Sequence, residues 1–182
     1  MVSYHNSSLP AKAGQPRPIL TCGDPRLAEV ACPVGDPEAV GDLAADLLVT
    51  MAAADGVGIA APQIGVGLQV IVVASRPNRR YPQAPQMDPV VMINPQILEQ
   101  SGEQEWGEEG CLSVPGRRGE VLRAKTVAVG FWDLGGQWQE QQWSGFVARI
   151  IQHEVDHLRG ILFLDRQPRN PRWLATACPN NP

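Results

Sequence analysis

The stretch Ser144-Gly145-Phe146-Val147-Ala148-Arg149-Ile150-Ile151-Gln152-His153-Glu154-Val155-Asp156-His157-Leu158-Arg159-Gly160 reads as one helix, and it decides the fold. Ser144 suits the N-terminal cap and Gly160 the stop. Phe146, Ile150, His153 and His157 fall on one stripe and Val147, Ile151 and Leu158 on an adjacent one, so the helix is expected to be mostly buried. Residues i and i+4 share a helix face, so His153 and His157 can reach one metal ion. Glu154 follows the first histidine and can point toward a water at that ion. This His-Glu-x-x-His pattern supplies two metal ligands and a general base, the arrangement of helical metallohydrolases. The plainer alternative is a packed, hydrogen-bonded histidine pair. Burying two histidines and a glutamate is costly without partners, and a metal would partner all three.

A catalytic site of this type needs a third protein ligand. His5, His153 and His157 are the only histidines, and no Glu follows Glu154. Phe163 stands where one protease group carries a further histidine. Asp165 and Cys178 are the downstream candidates, and neither has a supporting context. The strongest upstream candidate is Cys111, in Glu109-Gly110-Cys111-Leu112-Ser113. A thiolate suits a borderline-soft divalent metal, and Gly110 permits close backbone approach beside it. Taken alone, Cys111 reads equally as a buried thiol on a strand edge.

Outward from the long helix, residues 36–56 form a second helical segment. Asp36 caps it, Pro37 takes the first position and Gly56 the exit. A Gly-rich loop follows, from Gly56 to Gly67. Leu68–Ala74, Val90–Ile93, Gln96–Gln100, Lys125–Trp132 and Gln137–Trp143 read as strands, the last two joined by a turn at Leu134-Gly135-Gly136. Asn78–Pro89 holds three prolines and reads as a loop. The expected fold is α+β: an N-terminal helix, then antiparallel β-strands around a central metal-binding helix.

With 182 residues, the chain is long enough for one domain. The expected boundaries are a flexible N-terminal arm over 1–17, a catalytic domain over 18–166 and an irregular tail over 167–182. A net charge of −4 gives no reason to expect DNA binding, and no apolar run reaches the length of a membrane span. The first acid is Asp24, which lends the N-terminus a faint transit-peptide character, but Pro10, Pro16 and Pro18 oppose an amphipathic helix there. A cytoplasmic protein is expected, or an organellar one if the arm is a transit segment. Cys22, Cys32, Cys111 and Cys178 are expected to be reduced thiols.

Gly56–Gln63, Glu109–Ser113 and Gln152–Gly160, in this order and at these separations, resemble the three motifs of the peptide deformylase family. Ile19-Leu20 followed by Asp24-Pro25-Arg26-Leu27 resembles that family's opening, and the likeness covers roughly residues 18–166. It implies hydrolytic removal of the N-formyl group from the formylmethionine of newly made polypeptides, with release of formate. It further implies one divalent metal on Cys111, His153 and His157: Fe2+ in the cell, with Zn2+, Ni2+ or Co2+ also compatible with the donor set. Glu154 becomes the proton carrier, and the Gln63 side chain and Leu112 N–H become oxyanion donors. Val57, Gly58 and Gly110 would receive the peptide backbone, while Phe146 and Ile150 would wall the methionine pocket. Glu109 is expected to orient a neighbouring Arg. The expected partners are N-formylmethionyl nascent peptides and, transiently, the ribosome, and the protein is expected to be a monomer. The competing readings are a metallo-endopeptidase, a non-catalytic metal or peptide binder, and a structural zinc module with a fourth protein ligand.

Overall fold

The computed structural model describes residue 10 and residues 13–167. Two helices and seven strands order as α1 (Gly41–Ala53), β1 (Gly58–Ala60), β2 (Val70–Val73), β3 (Val90–Gln100), β4 (Gln104–Cys111), β5 (Val114–Ala124), β6 (Thr126–Trp132), β7 (Trp138–Ser144) and α2 (Gly145–Leu158). Five strands form one antiparallel sheet, β1-β2-β3-β6-β7, and β4-β5 form a separate hairpin. This is the expected α+β architecture, with α2 at its centre.

Every α2 residue from Val147 to Leu158 is buried. Ile150, Ile151, Val155 and Leu158 join Val73, Met92, Val129, Phe131 and Trp143 in the larger core. A second core lies under α1, where Ala44, Leu47 and Met51 meet Ile59, Val70, Val72 and Ile93. The large sheet is thus covered by a helix on each side, which accounts for the fully buried run Val70–Val73. Ser144 is the residue before α2 but makes no side-chain cap bond. Gly160 does terminate the helix: its φ is +71°, and Ile161 N donates to Asp156 O at 3.0 Å. A Cβ there would also collide with the Ala28 carbonyl. Gly160→Ala is therefore expected to destabilise the fold by about 2 kcal/mol or more. Urea unfolding measures this, and a loss below about 0.5 kcal/mol would contradict the stop assignment.

The segment expected as a helix over 36–56 begins as a 3-10 turn, Pro37–Val40, capped by Asp36 through Glu38 N at 3.1 Å. Its left-handed exit residue is Asp55 (φ 55°) rather than Gly56, which instead lies close to Leu112 and Met51. Val90–Ile93 and Gln96–Gln100 belong to a single strand. Its register breaks at Asn94-Pro95, where Asn94 adopts φ 49° and exchanges two hydrogen bonds with the Val34 backbone, at 2.7 and 2.8 Å. Proline has no ladder donor, so a bulge accommodates it within the strand. In the β6–β7 hairpin, Asp133 accepts from Gly135 N and Gln137 N, both at 2.9 Å, and Gly136 takes the positive φ.

Gln15 and Arg17, within the expected arm, are tied to α1. Gln15 N donates to Asp46 at 2.7 Å and Arg17 N to the Thr50 hydroxyl at 2.9 Å. The rest of the arm (1–9, 11 and 12), and the tail from 168 with its Cys178, lie outside the described residues. Cys22 is disulfide-bonded, contrary to the expectation of reduced thiols throughout, whereas Cys32 and Cys111 are free. The expectation followed from chain size and core volume, which carry no information on which sulfurs meet.

Candidate metal centre

The separate hairpin β4–β5 brings Cys111 to α2. Cys111 ends β4, where the register with β5 breaks between Gly110 and Cys111 and turns the thiol inward. Its Sγ stands 3.2 Å from His157 Nε2. Cys111, His153 and His157 offer donor atoms that all lie within 4.8 Å of one another, and all three residues are buried. Among the described residues no fourth Cys, His, Asp or Glu joins this group. Asp165, one alternative ligand, instead accepts from Leu162 N at 2.9 Å in a local turn.

One thiolate and two imidazoles are the donor set of a borderline divalent cation. His153 presents Nδ1 to Glu109 Oε2 at 2.9 Å, which leaves Nε2 for the cluster. Burial raises the Cys111 thiol pKa, but the charge of His157 and hydrogen bonding with His153 outweigh it and hold the thiol well below its ordinary range. The side chains therefore fit a bound cation, with His153 oriented from behind by a carboxylate.

That carboxylate anchors a buried charge network. Glu109 accepts two hydrogen bonds from Arg123, at 2.9 and 3.0 Å, and one from Arg149 at 3.0 Å. Arg123 also donates to Asp156 at 2.6 Å, and Arg166 holds Asp156 from the far side at 2.6 and 3.0 Å. Burial pushes the Glu109 pKa up, yet the hydrogen bonds from His153 and Arg123 bring it down to about 2. The neighbouring arginine expected for Glu109 is thus a pair, Arg123 and Arg149. Arg149 further binds the carbonyls of Val121 and Glu105, both at 2.8 Å, fastening the hairpin to α2. Arg123, Arg149, Asp156 and Arg166 were not among the expected site residues, because the pairings that join them leave no local pattern in the sequence.

Glu154 is 4% exposed, and its Oε2 has no hydrogen-bond partner among the described residues. Burial pushes its pKa up to about 7, against the opposing pull of His153 and His157. A carboxylate tuned near neutrality suits proton transfer at physiological pH. A Cβ on Gly58 would collide with Glu154 Oε1 and with Ile150. Gly58→Ala is accordingly expected to lower the hydrolytic rate of this centre about 100-fold by displacing this carboxylate. A rate within three-fold of wild type would contradict that packing.

Gln63 is fixed by Ala60 N, which donates to Oε1 at 2.9 Å. Its Nε2 consequently faces Cys111 Sγ at 3.5 Å and Ser113 Oγ at 3.1 Å. The N-terminal strap holds this corner together: Leu20 N donates to Gln63 O and Cys22 N to Ser113 O, both at 2.7 Å. Val57, Gly58, Gln63, Gly110, Leu112, Phe146 and Ile150 all line the one pocket that also reaches Cys111, His153 and Glu154. Phe146 and Ile150 also pack against the core, so their two expected roles coexist. The Val57 carbonyl accepts from Ala74 N at 2.9 Å on the β2 side and keeps a second lone pair. Alternation along an edge strand directs the Gly58 backbone to the open side. Arg80 and Tyr81, in the loop before β3, also line the pocket and had no sequence signal beyond a Pro-rich loop.

A family model described as polypeptide deformylase matches residues 16–173. Peptide deformylase 2 of Shewanella oneidensis is 48% identical over 153 residues, covering 84% of each chain. A Met-Ala-Ser-bound class I type b peptide deformylase from Acinetobacter baumannii shares 50% identity, with a TM-score of 0.82 over 84% of this chain and 99% of that one. The peptide deformylase of Thermotoga maritima is 36% identical, with a TM-score of 0.76 over 85% of this chain and 99% of that one.

Proposed function

The chain belongs to the polypeptide deformylase family, and from that premise we propose that Cys111, His153 and His157 hold its catalytic metal while Glu154 carries the proton. It is a hydrolase that removes the N-formyl group from nascent peptides, and enzymes of this family depend on a metal. The observation that supports the site assignment is the convergence of three buried donor atoms within 4.8 Å beside an unpartnered carboxylate oxygen. When bound there, the metal supplies Lewis-acid polarisation of the formyl oxygen and eases ionisation of the attacking water.

The chain's own residues carry the remaining steps. Glu154 accepts the proton of the attacking water and delivers it to the departing methionine nitrogen. Gln63 Nε2 and Leu112 N–H donate to the oxyanion that develops on the formyl carbon's oxygen. Val57, Gly58 and Gly110 receive the peptide backbone, and the Acinetobacter baumannii relative is a Met-Ala-Ser-bound peptide deformylase. Phe146 and Ile150 wall the methionine side chain. The products are formate and a peptide with a free N-terminal methionine.

The donor set accommodates Fe2+, Zn2+, Ni2+ or Co2+, and family membership favours Fe2+ in the cell. A thiolate on ferrous iron exposes the centre to oxidative loss. The catalytic unit is proposed to span 18–166, with Gln15 and Arg17 attached to it through α1. Bacterial relatives support a cytoplasmic placement, and no helix among the described residues is long and apolar enough to cross a membrane. The protein is proposed to act as a monomer, and any ribosome contact would be transient. Formate release from formyl-Met-Ala-Ser by anaerobically purified protein tests the reading. Cleavage of internal peptide bonds without formate release would replace it with an endopeptidase.

A further inference from the structure

The pocket carries a cation that the hydrolytic chemistry does not use. Of its two lining arginines, Arg149 is bound to Glu109. Arg80 makes no ion pair among the described residues, and it is only partly buried. Its guanidinium lies against the residue before the thiol: a Cβ on Gly110 would lie 3.1 Å from Arg80 Nη2. The missing side chain at Gly110 therefore makes room for this cation at the pocket rim.

The neighbouring contacts hold it there. Tyr81 receives a hydrogen bond from Gly110 N at 3.2 Å, and its ring packs on Phe146 with centroids 5.0 Å apart. Arg118 lies over that ring, 4.7 Å from its centroid, and donates to the Arg80 carbonyl at 3.3 Å. Arg118 is itself neutralised by Glu108 at 2.6 Å, so the uncompensated positive charge on this rim is that of Arg80.

Gly110 adjoins Cys111, so the Arg80 guanidinium lies within a few residues of extended chain of the thiol. A peptide whose formyl group reaches the metal centre would bring its second or third residue to that distance. We infer that Arg80 selects formyl peptides carrying an acidic side chain at the second or third residue. The inference rests on the deformylase reading of the same pocket. It concerns which nascent chains are processed fastest, not the chemical step.

The test uses C-terminally amidated peptides, so that the only carboxylate is the side chain's. Formyl-Met-Xaa-Ser-amide and formyl-Met-Ala-Xaa-amide, with Xaa as Glu, Gln or Lys, are compared at low ionic strength by formate release. Wild type is expected to prefer Glu over Lys in kcat/KM by about three-fold or more at one of the two positions, the preference shrinking with added salt. Arg80→Glu should reverse the Glu:Lys ratio at that position, and Arg80→Gln should bring it close to one. Because the readout is a ratio within each variant, a general loss of rate does not obscure it. An equal Glu:Lys ratio in wild type at both positions, or an unchanged ratio in Arg80→Glu, overturns the inference. Failure of wild type to release formate from the Gln peptides would instead overturn the deformylase reading.

Discussion

Replacing Glu154 by Gln should reduce formate release by about 1,000-fold while the protein keeps its metal. The substitution preserves shape at a position that is 4% exposed and lies close against Gly58. What it removes is the proposed ability to accept a proton from water and return it to the amine. Glu154 is not one of the three converging donors, so metal content should remain near one per chain. The effect should fall on kcat with KM little changed, since the carboxylate acts in the transition state. Single-turnover kinetics with metal analysis of the same sample measure both. A variant within ten-fold of wild type would mean that another group moves the proton.

Glu109→Ala should damage both the fold and the metal site. Glu109 is 3% exposed and neutralises two buried arginines, Arg123 and Arg149, while fixing the His153 ring. Removing one partner from a buried ionic network typically costs about 3–5 kcal/mol, because the remaining charges stay desolvated. Loss of the carboxylate behind a ligand histidine typically weakens metal binding about 10- to 100-fold. Urea unfolding and a competitive chelator titration report the two effects separately. The carboxylate's contribution has a defined pH window. Its folded pKa is held at about 2 against an ordinary 4.5, so its stabilisation is complete above the ordinary value and is lost as pH falls toward 2. Glu109→Gln should therefore flatten the stability profile over that acid range. Unchanged stability and metal retention in Glu109→Ala would contradict the network's role.

The long helix was legible because periodicity and chemistry agreed there: the apolar stripes and the two histidines share the same faces. The strands Val70–Val73 and Thr126–Trp132 were legible from their β-branched and aromatic content. The hairpin β4–β5 was not, although it carries Cys111. Gln104–Cys111 is polar, acidic and interrupted by Gly107 and Gly110, and Val114–Ala124 contains Pro115 and two glycines. Arg149 holds that hairpin through the carbonyls of Glu105, Gly107 and Val121, a long-range contact with no local pattern. β1 spans only Gly58–Ala60, too short for alternation to register, so it read as a loop. The three proposed ligands and the proton carrier could be named because their residue types are scarce and chemically demanding. Arg123, Asp156 and Arg166 could not, because their roles arise from pairings across three separate segments.

X-ray absorption at the metal edge of anaerobically purified protein tests the coordination sphere itself. One sulfur scatterer at about 2.3 Å, together with two imidazoles, is the expected result. In Cys111→Ser the sulfur shell should vanish. A first shell of nitrogen and oxygen alone in the unmutated protein would contradict the assignment of Cys111, and with it the closure of the site by β4.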